Sequence, residues 1–232
     1  MANKLLTDNL KQVLSLIEKG NNLGEQITLV GATKMVDTDT INEAINNGLK
    51  VVAENKVQEF NLKHDFIKGA DQQFIGHLQT NKVKYLVGNV SLIQSVDSVH
   101  LATEINKFAI KRNVVQPILI EVNVGGELSK SGFDLSNAES EVLNIYNNMK
   151  NLTVNGLMAM LPHSDDENLL IGLCDKMRNL YDELKDMGLP FKYLSMGMSN
   201  DYKITINHGS NMIRLGRTIF GERNYGGQNG SI

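Results

Sequence analysis

Apolar positions along the 232-residue chain fall into two alternating patterns. Short, nearly continuous apolar runs are separated by longer stretches in which apolar residues return every three or four positions, the period of a helix with one buried face. The runs are ITLVGAT (27–33), KVVAE (50–54), QQFIG (72–76), SLIQSV (91–96), VQPILIEVNV (115–124), LTVNGLMAM (152–160), FKYLSM (191–196) and NMIRLG (211–216). Each has strand length, and a helical stretch follows it. Residues 39–47 form one such helix, ended by Gly48, and SVHLATEINKFAIKR (98–112) forms another; the stretch after residue 76 reads as a polar helix. Strands that are apolar on both faces belong to a parallel sheet covered by helices. Eight such units in a chain of this length predict a (β/α)8 TIM barrel of the α/β class, preceded by an extra helix from MANKLLTDNLKQVLSLIEKG (1–20). An open doubly wound sheet fits less well, because no GxGxxG follows the first run.

Composition narrows the setting. With 41% hydrophobic and 21% charged residues the chain reads as a soluble globular protein with a large core. No stretch rich in Pro, Gly or Ser divides it, so one domain is expected over 1–232, with a disordered tail from about 225 to 232. The net charge is −3 and the basic residues are scattered, which argues against a nucleic-acid surface. No apolar run approaches the ~20 residues of a membrane span, and the N-terminal stretch lacks a signal-peptide core, so the cytoplasm is expected. The lone Cys174 forms no intramolecular disulfide, and its setting on an amphipathic helix predicts a buried thiol. The five histidines show no metal-ligand spacing, and no metal site is expected.

In a barrel of this kind functional groups collect where the strands end. Lys34 closes the first run. If it faces inward, Ala32 and Val30 lie beneath it in the barrel while Leu29 and Thr33 face the helices. An amine at the floor of a pocket loses water, which favours its neutral form relative to the usual ~10.4. The neutral amine attacks carbonyls to give a Schiff base. The same position also suits a lysine whose ammonium reaches into solvent. At the other end of the chain, SMGMSND (195–201) and RLGRTIFGER (214–223) follow the last two runs. Barrels often bind phosphate there, and Gly197, Ser199 and Gly216 are small enough to let backbone approach an anion. Ser199 alone serves equally well as a helix N-cap. An amine facing a phosphate loop suggests an aldehyde with a phosphate arm, and pyridoxal 5′-phosphate is the obvious candidate.

At these residues the sequence resembles the pyridoxal phosphate homeostasis protein family, short relatives of the alanine racemase N-terminal barrel. The resemblance is carried by LVGATK (29–34), AENKVQEF (53–60), FIGHLQTNK (74–82), SVDSVHLA (95–102), VNVGGELSKSGF (122–133), GLMAM (156–160), SMGMSNDY (195–202) and IRLGRTIFG (213–221), in order across residues 27–223. It implies an alanine racemase-like fold with pyridoxal 5′-phosphate held as an aldimine on Lys34. Ser199, Gly216 and the backbone of Arg217 would hold the phosphate, and Arg214 would face the pyridine nitrogen. Asn55 and His77 would line the pocket, although His77 also suits a capping or strand-end role. Two positions depart from the family pattern: Val36 stands where a second lysine is usual, and Arg217 where threonine is common. Lys130, in the SKSGF loop, is read as solvated, the alternative being a part in cofactor binding or release.

The resemblance also frames the function. A guanidinium at the ring nitrogen opposes its protonation and weakens the ring as an electron sink. Racemases of this fold take a second base from another domain, and the chain ends at Ile232, shortly after the last strand. The expectation is a non-catalytic pyridoxal phosphate-binding protein of intracellular vitamin B6 homeostasis, a monomer whose partners are the cofactor and apo-enzymes that receive it. The alternatives are an amino-acid racemase or decarboxylase using the same aldimine, and a Schiff-base aldolase.

Overall fold

The computed structural model describes residues 4–127 and 130–222. Each of the eight apolar runs contains a strand: β1 (Thr28–Ala32), β2 (Val51–Glu54), β3 (Asp71–Phe74), β4 (Leu92–Val96), β5 (Gln116–Asn123), β7 (Leu152–Met158), β8 (Tyr193–Ser195) and β9 (Met212–Leu215). All pair in parallel, in the order β4-β3-β2-β1-β9-β8-β7-β5, and a further β4–β5 pairing closes the ring. Val30 at the middle of β1 sits in register with Val51 on one side and Arg214 on the other, so the first and last strands are neighbours. The fold is the expected (β/α)8 barrel.

Helices cover the outside: α1 (Lys4–Ile17), α2 (Thr38–Asn46), α3 (Val57–Lys63), α4 (Val99–Arg112), α5 (Leu135–Asn148), α6 (Glu167–Asp186), α7 (Tyr202–Asn207) and α8 (Arg217–Phe220). Their ends follow local chemistry. Asp37, Ser98 and Asp166 each accept a backbone N–H from the first turn of α2, α4 and α6, respectively. Asn113, at φ +54, ends α4 in the left-handed conformation that asparagine tolerates. α1 is the extra helix; Leu6, Leu10, Val13 and Ile17 form its buried stripe.

Strand alternation sorts the core into two layers. Leu29 joins Leu6, Leu10, Ile41 and Ile213 between sheet and helices. Val30 instead joins Val51, Ala53, Leu92, Leu119, Met158 and Met212 inside the barrel. This is the alternation expected around Lys34. Cys174 is buried on α6, and burial pushes its thiol up to about 12.

Two local expectations are corrected. The stretch after β3 is a 3-10 helix, Thr80–Tyr85, with i→i+3 bonds from Lys82 N–H to Gln79 O at 2.9 Å and from Leu86 N–H to Val83 O at 3.0 Å. The loop after β5 contains a short strand, β6 (Phe133–Asp134), that pairs with Val122 and Asn123 outside the ring. The tail expected to be disordered lies outside the described residues.

Candidate functional site

The strands of the ring all point the same way, so the segments that follow them gather at one mouth. A cavity of about 590 Å3 opens there. Lys34, Asn55, His77, Ser199, Arg214, Gly216 and Arg217, singled out from sequence, all border it.

Lys34 lies in a tight turn after β1, in which Val36 N–H donates to Thr33 O at 3.0 Å and Met35 takes φ +60. Its side chain is half-buried. Asn55 and His77 come from the ends of β2 and β3. Asn55 Oδ1 is buried and has no hydrogen-bond partner among the described residues. His77 Nδ1 sits 3.1 Å from Asp97 Oδ2, and its side chain is 64% exposed at the rim.

The loops after β8 and β9 form the opposite wall and are tied together. Asp201 Oδ1 accepts from Met198 N–H at 2.5 Å. Ser199 Oγ accepts from Thr218 N–H at 3.3 Å, so this serine joins the two loops instead of capping the helix that follows it. Arg217 is exposed, and its guanidinium donates to Asn200 Oδ1 at 2.9 Å. Gly197 takes φ +101, and a Cβ there would lie 2.2 Å from Thr205 Oγ1, so the turn after β8 requires glycine.

Arg214 rises from inside the barrel and is 5% exposed. It donates to Ser195 Oγ at 2.6 Å, Ser195 O at 2.9 Å and Ala159 O at 2.9 Å. Ser195 Oγ in turn donates to Gln94 Oε1 at 2.7 Å, and Gln94 Nε2 donates to Gln73 Oε1 at 2.6 Å. This polar file crosses the barrel interior and fixes the guanidinium. Burial pulls Arg214 down to about 10 against the opposing pull of Glu121 and Asp201. Burial also pushes Glu121 up to about 7, helped by Asp97 and opposed by Arg214 and His77.

Sequence reasoning missed the wall formed by residues 160–165, including His163 and Asp165, although it follows β7 at the same rim. It also missed Ser195, Gln94 and Glu121. Lys130 departs from expectation: its side chain is 26% exposed, donates to Leu161 O at 3.3 Å and pairs with Glu127. The carbonyl ending the β7 rim draws the ammonium out of solvent.

The site therefore offers an amine on one wall, a buried cation at the floor, an unpartnered amide oxygen, and a serine–glycine wall opposite. That set suits a compact ligand with a carbonyl, a hydrogen-bond acceptor for the guanidinium and an anionic arm.

Comparison with known proteins gives concordant matches. The family described as alanine racemase, N-terminal domain, matches residues 18–224. A pyridoxal phosphate homeostasis protein from Aquifex aeolicus is 42% identical over 228 residues, spanning 94% of this chain and 98% of that one. A crystal structure of an unknown protein from Bifidobacterium adolescentis superposes with TM-score 0.88 at 30% identity, covering 94% and 95% of the two chains. PipY of Synechococcus elongatus, solved with PLP bound, superposes with TM-score 0.82 at 24% identity, covering 93% of this chain and all of that one, a likeness of fold.

Proposed function

The chain belongs to the alanine racemase N-terminal domain family, among its pyridoxal phosphate homeostasis proteins, and on that premise we propose that it holds pyridoxal 5′-phosphate in the barrel mouth without turning over a substrate. One observation carries the reading: Lys34 and the serine–glycine wall at 199 and 216 border the same cavity. In this reading Lys34 forms the Schiff base. Ser199, Gly216 and the backbone of Arg217 hold the phosphate, since the Arg217 guanidinium is engaged by Asn200. Arg214 faces the ring nitrogen, and Asn55 and His77 line the pocket. When bound, the cofactor supplies an aldehyde conjugated to a pyridine ring, whose electron-withdrawing power depends on protonation at nitrogen.

The protein's own groups act against that power. Arg214 is a buried cation that can only donate hydrogen bonds, and its like charge beside the ring nitrogen opposes protonation there. This favours a carrier over a racemase or decarboxylase. The reading includes one domain acting as a cytoplasmic monomer that yields its cofactor to apo-enzymes. Among the described residues, no helix is long and apolar enough to cross a membrane.

The test is an absorbance spectrum of the purified protein with pyridoxal 5′-phosphate, before and after borohydride, with mass mapping of the reduced site. The Schiff-base band and the reduced adduct should map to Lys34, and Lys34→Ala should lose both while remaining folded. A band that survives in Lys34→Ala sinks the assignment. Sustained turnover in a racemase or decarboxylase panel overturns the carrier reading.

A further inference from the structure

The turn that presents Lys34 is held from behind by groups that do not border the cavity. Met35 occupies the left-handed region at φ +60 without being glycine or asparagine, a conformation that surrounding structure must enforce. Its own side chain is 56% exposed and contributes little packing to do so. Polar contacts supply the grip.

Lys63, the last residue of α3, reaches the turn with its ammonium. Nζ donates to Thr33 O at 3.0 Å, Glu54 Oε1 at 2.7 Å and Glu59 Oε2 at 2.8 Å, using all three of its protons. The two carboxylates grip the turn on either side of Lys34. Glu54 Oε1 accepts from Thr33 Oγ1 at 2.8 Å, and Glu59 Oε2 accepts from Met35 N–H at 2.7 Å. The residues before and after Lys34 are therefore both fastened to one ion cluster. Lys63 is 13% exposed and Glu54 only 3%, so that side of the cluster is shielded from water and its bonds are strong, while Glu59, 20% exposed, forms its outer side.

We infer that Lys63, with Glu54 and Glu59, is a positioning group for Lys34, locking the turn that directs the Lys34 amine into the cavity. This rests on the reading that Lys34 carries the Schiff base. Without the cluster the phosphate wall remains, because the loops at 199 and 216 are tied by their own bonds. The amine, however, samples conformations in which it cannot reach the aldehyde.

The experiment separates capture of the aldehyde from binding of the rest of the ligand. Lys63→Met, Lys63→Arg and Glu59→Gln are compared with the parent protein. For each, Schiff-base formation with pyridoxal 5′-phosphate is followed by absorbance and borohydride trapping at Lys34. Affinity for pyridoxine 5′-phosphate, which lacks the aldehyde, is measured by calorimetry. Lys63→Met should slow Schiff-base formation about tenfold or more, while pyridoxine 5′-phosphate affinity stays within about twofold. Lys63→Arg should recover part of the rate, since it restores the charge. Glu59→Gln alters the grip on Met35 at the exposed side of the cluster; it should show the same split to a smaller degree, and it decides the matter if Lys63→Met does not fold. Parent-like Schiff-base formation in Lys63→Met and Glu59→Gln overturns the inference. So does an equal loss of both ligands, which would make the cluster merely structural. Failure of the Lys34 assignment is separately visible, as a band that persists in Lys34→Ala.

Discussion

Glu121 lies on the inward face of β5 and is 3% exposed, beside a second buried charge, Arg214. Burial lifts the Glu121 carboxyl from its ordinary 4.5 to about 7. The unfolded chain therefore releases this proton near 4.5 and the folded chain near 7. Between those values the folded state binds more protons, so stability is fully present below about 4.5, falls as pH rises to about 7, and is level above. The whole loss is on the order of 3 kcal/mol at most. Urea unfolding across this range should show the decline in the parent and a shallower one in Glu121→Gln, which keeps the shape without the charge. Glu54, also raised by burial, leaves a residual slope of the same sign. A parent whose stability does not change across that window contradicts the assignment. At this scale the sequence was only partly legible. Lys34 stood out because it ends an apolar run, and the glycine–serine loops because they follow the last strands. Lys63 did not, because the oxygen it holds lies 30 positions away and only the folded β1–β2 pairing brings them together.

Single elements carry their own constraints, and two glycines show opposite ones. Gly156, within β7, takes φ +147, and a Cβ there would lie 1.9 Å from Tyr193 O on β8. Gly156→Ala must break the β7–β8 ladder or shift it, and should cost at least about 2 kcal/mol in thermal or chemical unfolding. Gly172 sits exposed inside α6 with open space where a Cβ would go. Gly172→Ala should stabilise by about 0.5–1 kcal/mol, because alanine removes backbone freedom from the unfolded chain. If Gly156→Ala proves as benign as Gly172→Ala, the close approach of the two strands is wrong. Element type was readable where burial covered both faces of a strand or one stripe of a helix. It failed at Thr80–Tyr85 and at Phe133–Asp134, where the segments are too short for a period to establish itself.

For the molecule as a whole, eight apolar runs sufficed for the barrel, since parallel strands buried on both sides admit few other arrangements. The polar file from Arg214 through Ser195 and Gln94 to Gln73 was hidden for the same reason. Each member is one polar residue within an apolar run, and its partner is known only once the ring closes. That ring has a thermodynamic corollary. Every one of its eight strands is bonded on both flanks, so none can peel away without rupturing two ladders. Amide protons on β1, β2, β5 and β7 should consequently exchange with deuterium only through global opening, while those of the rim segment at 160–165 exchange through small local excursions. Ligand traffic is thereby confined to the one end where the backbone can give way at little cost, and the vessel itself need not loosen for its cargo to come and go.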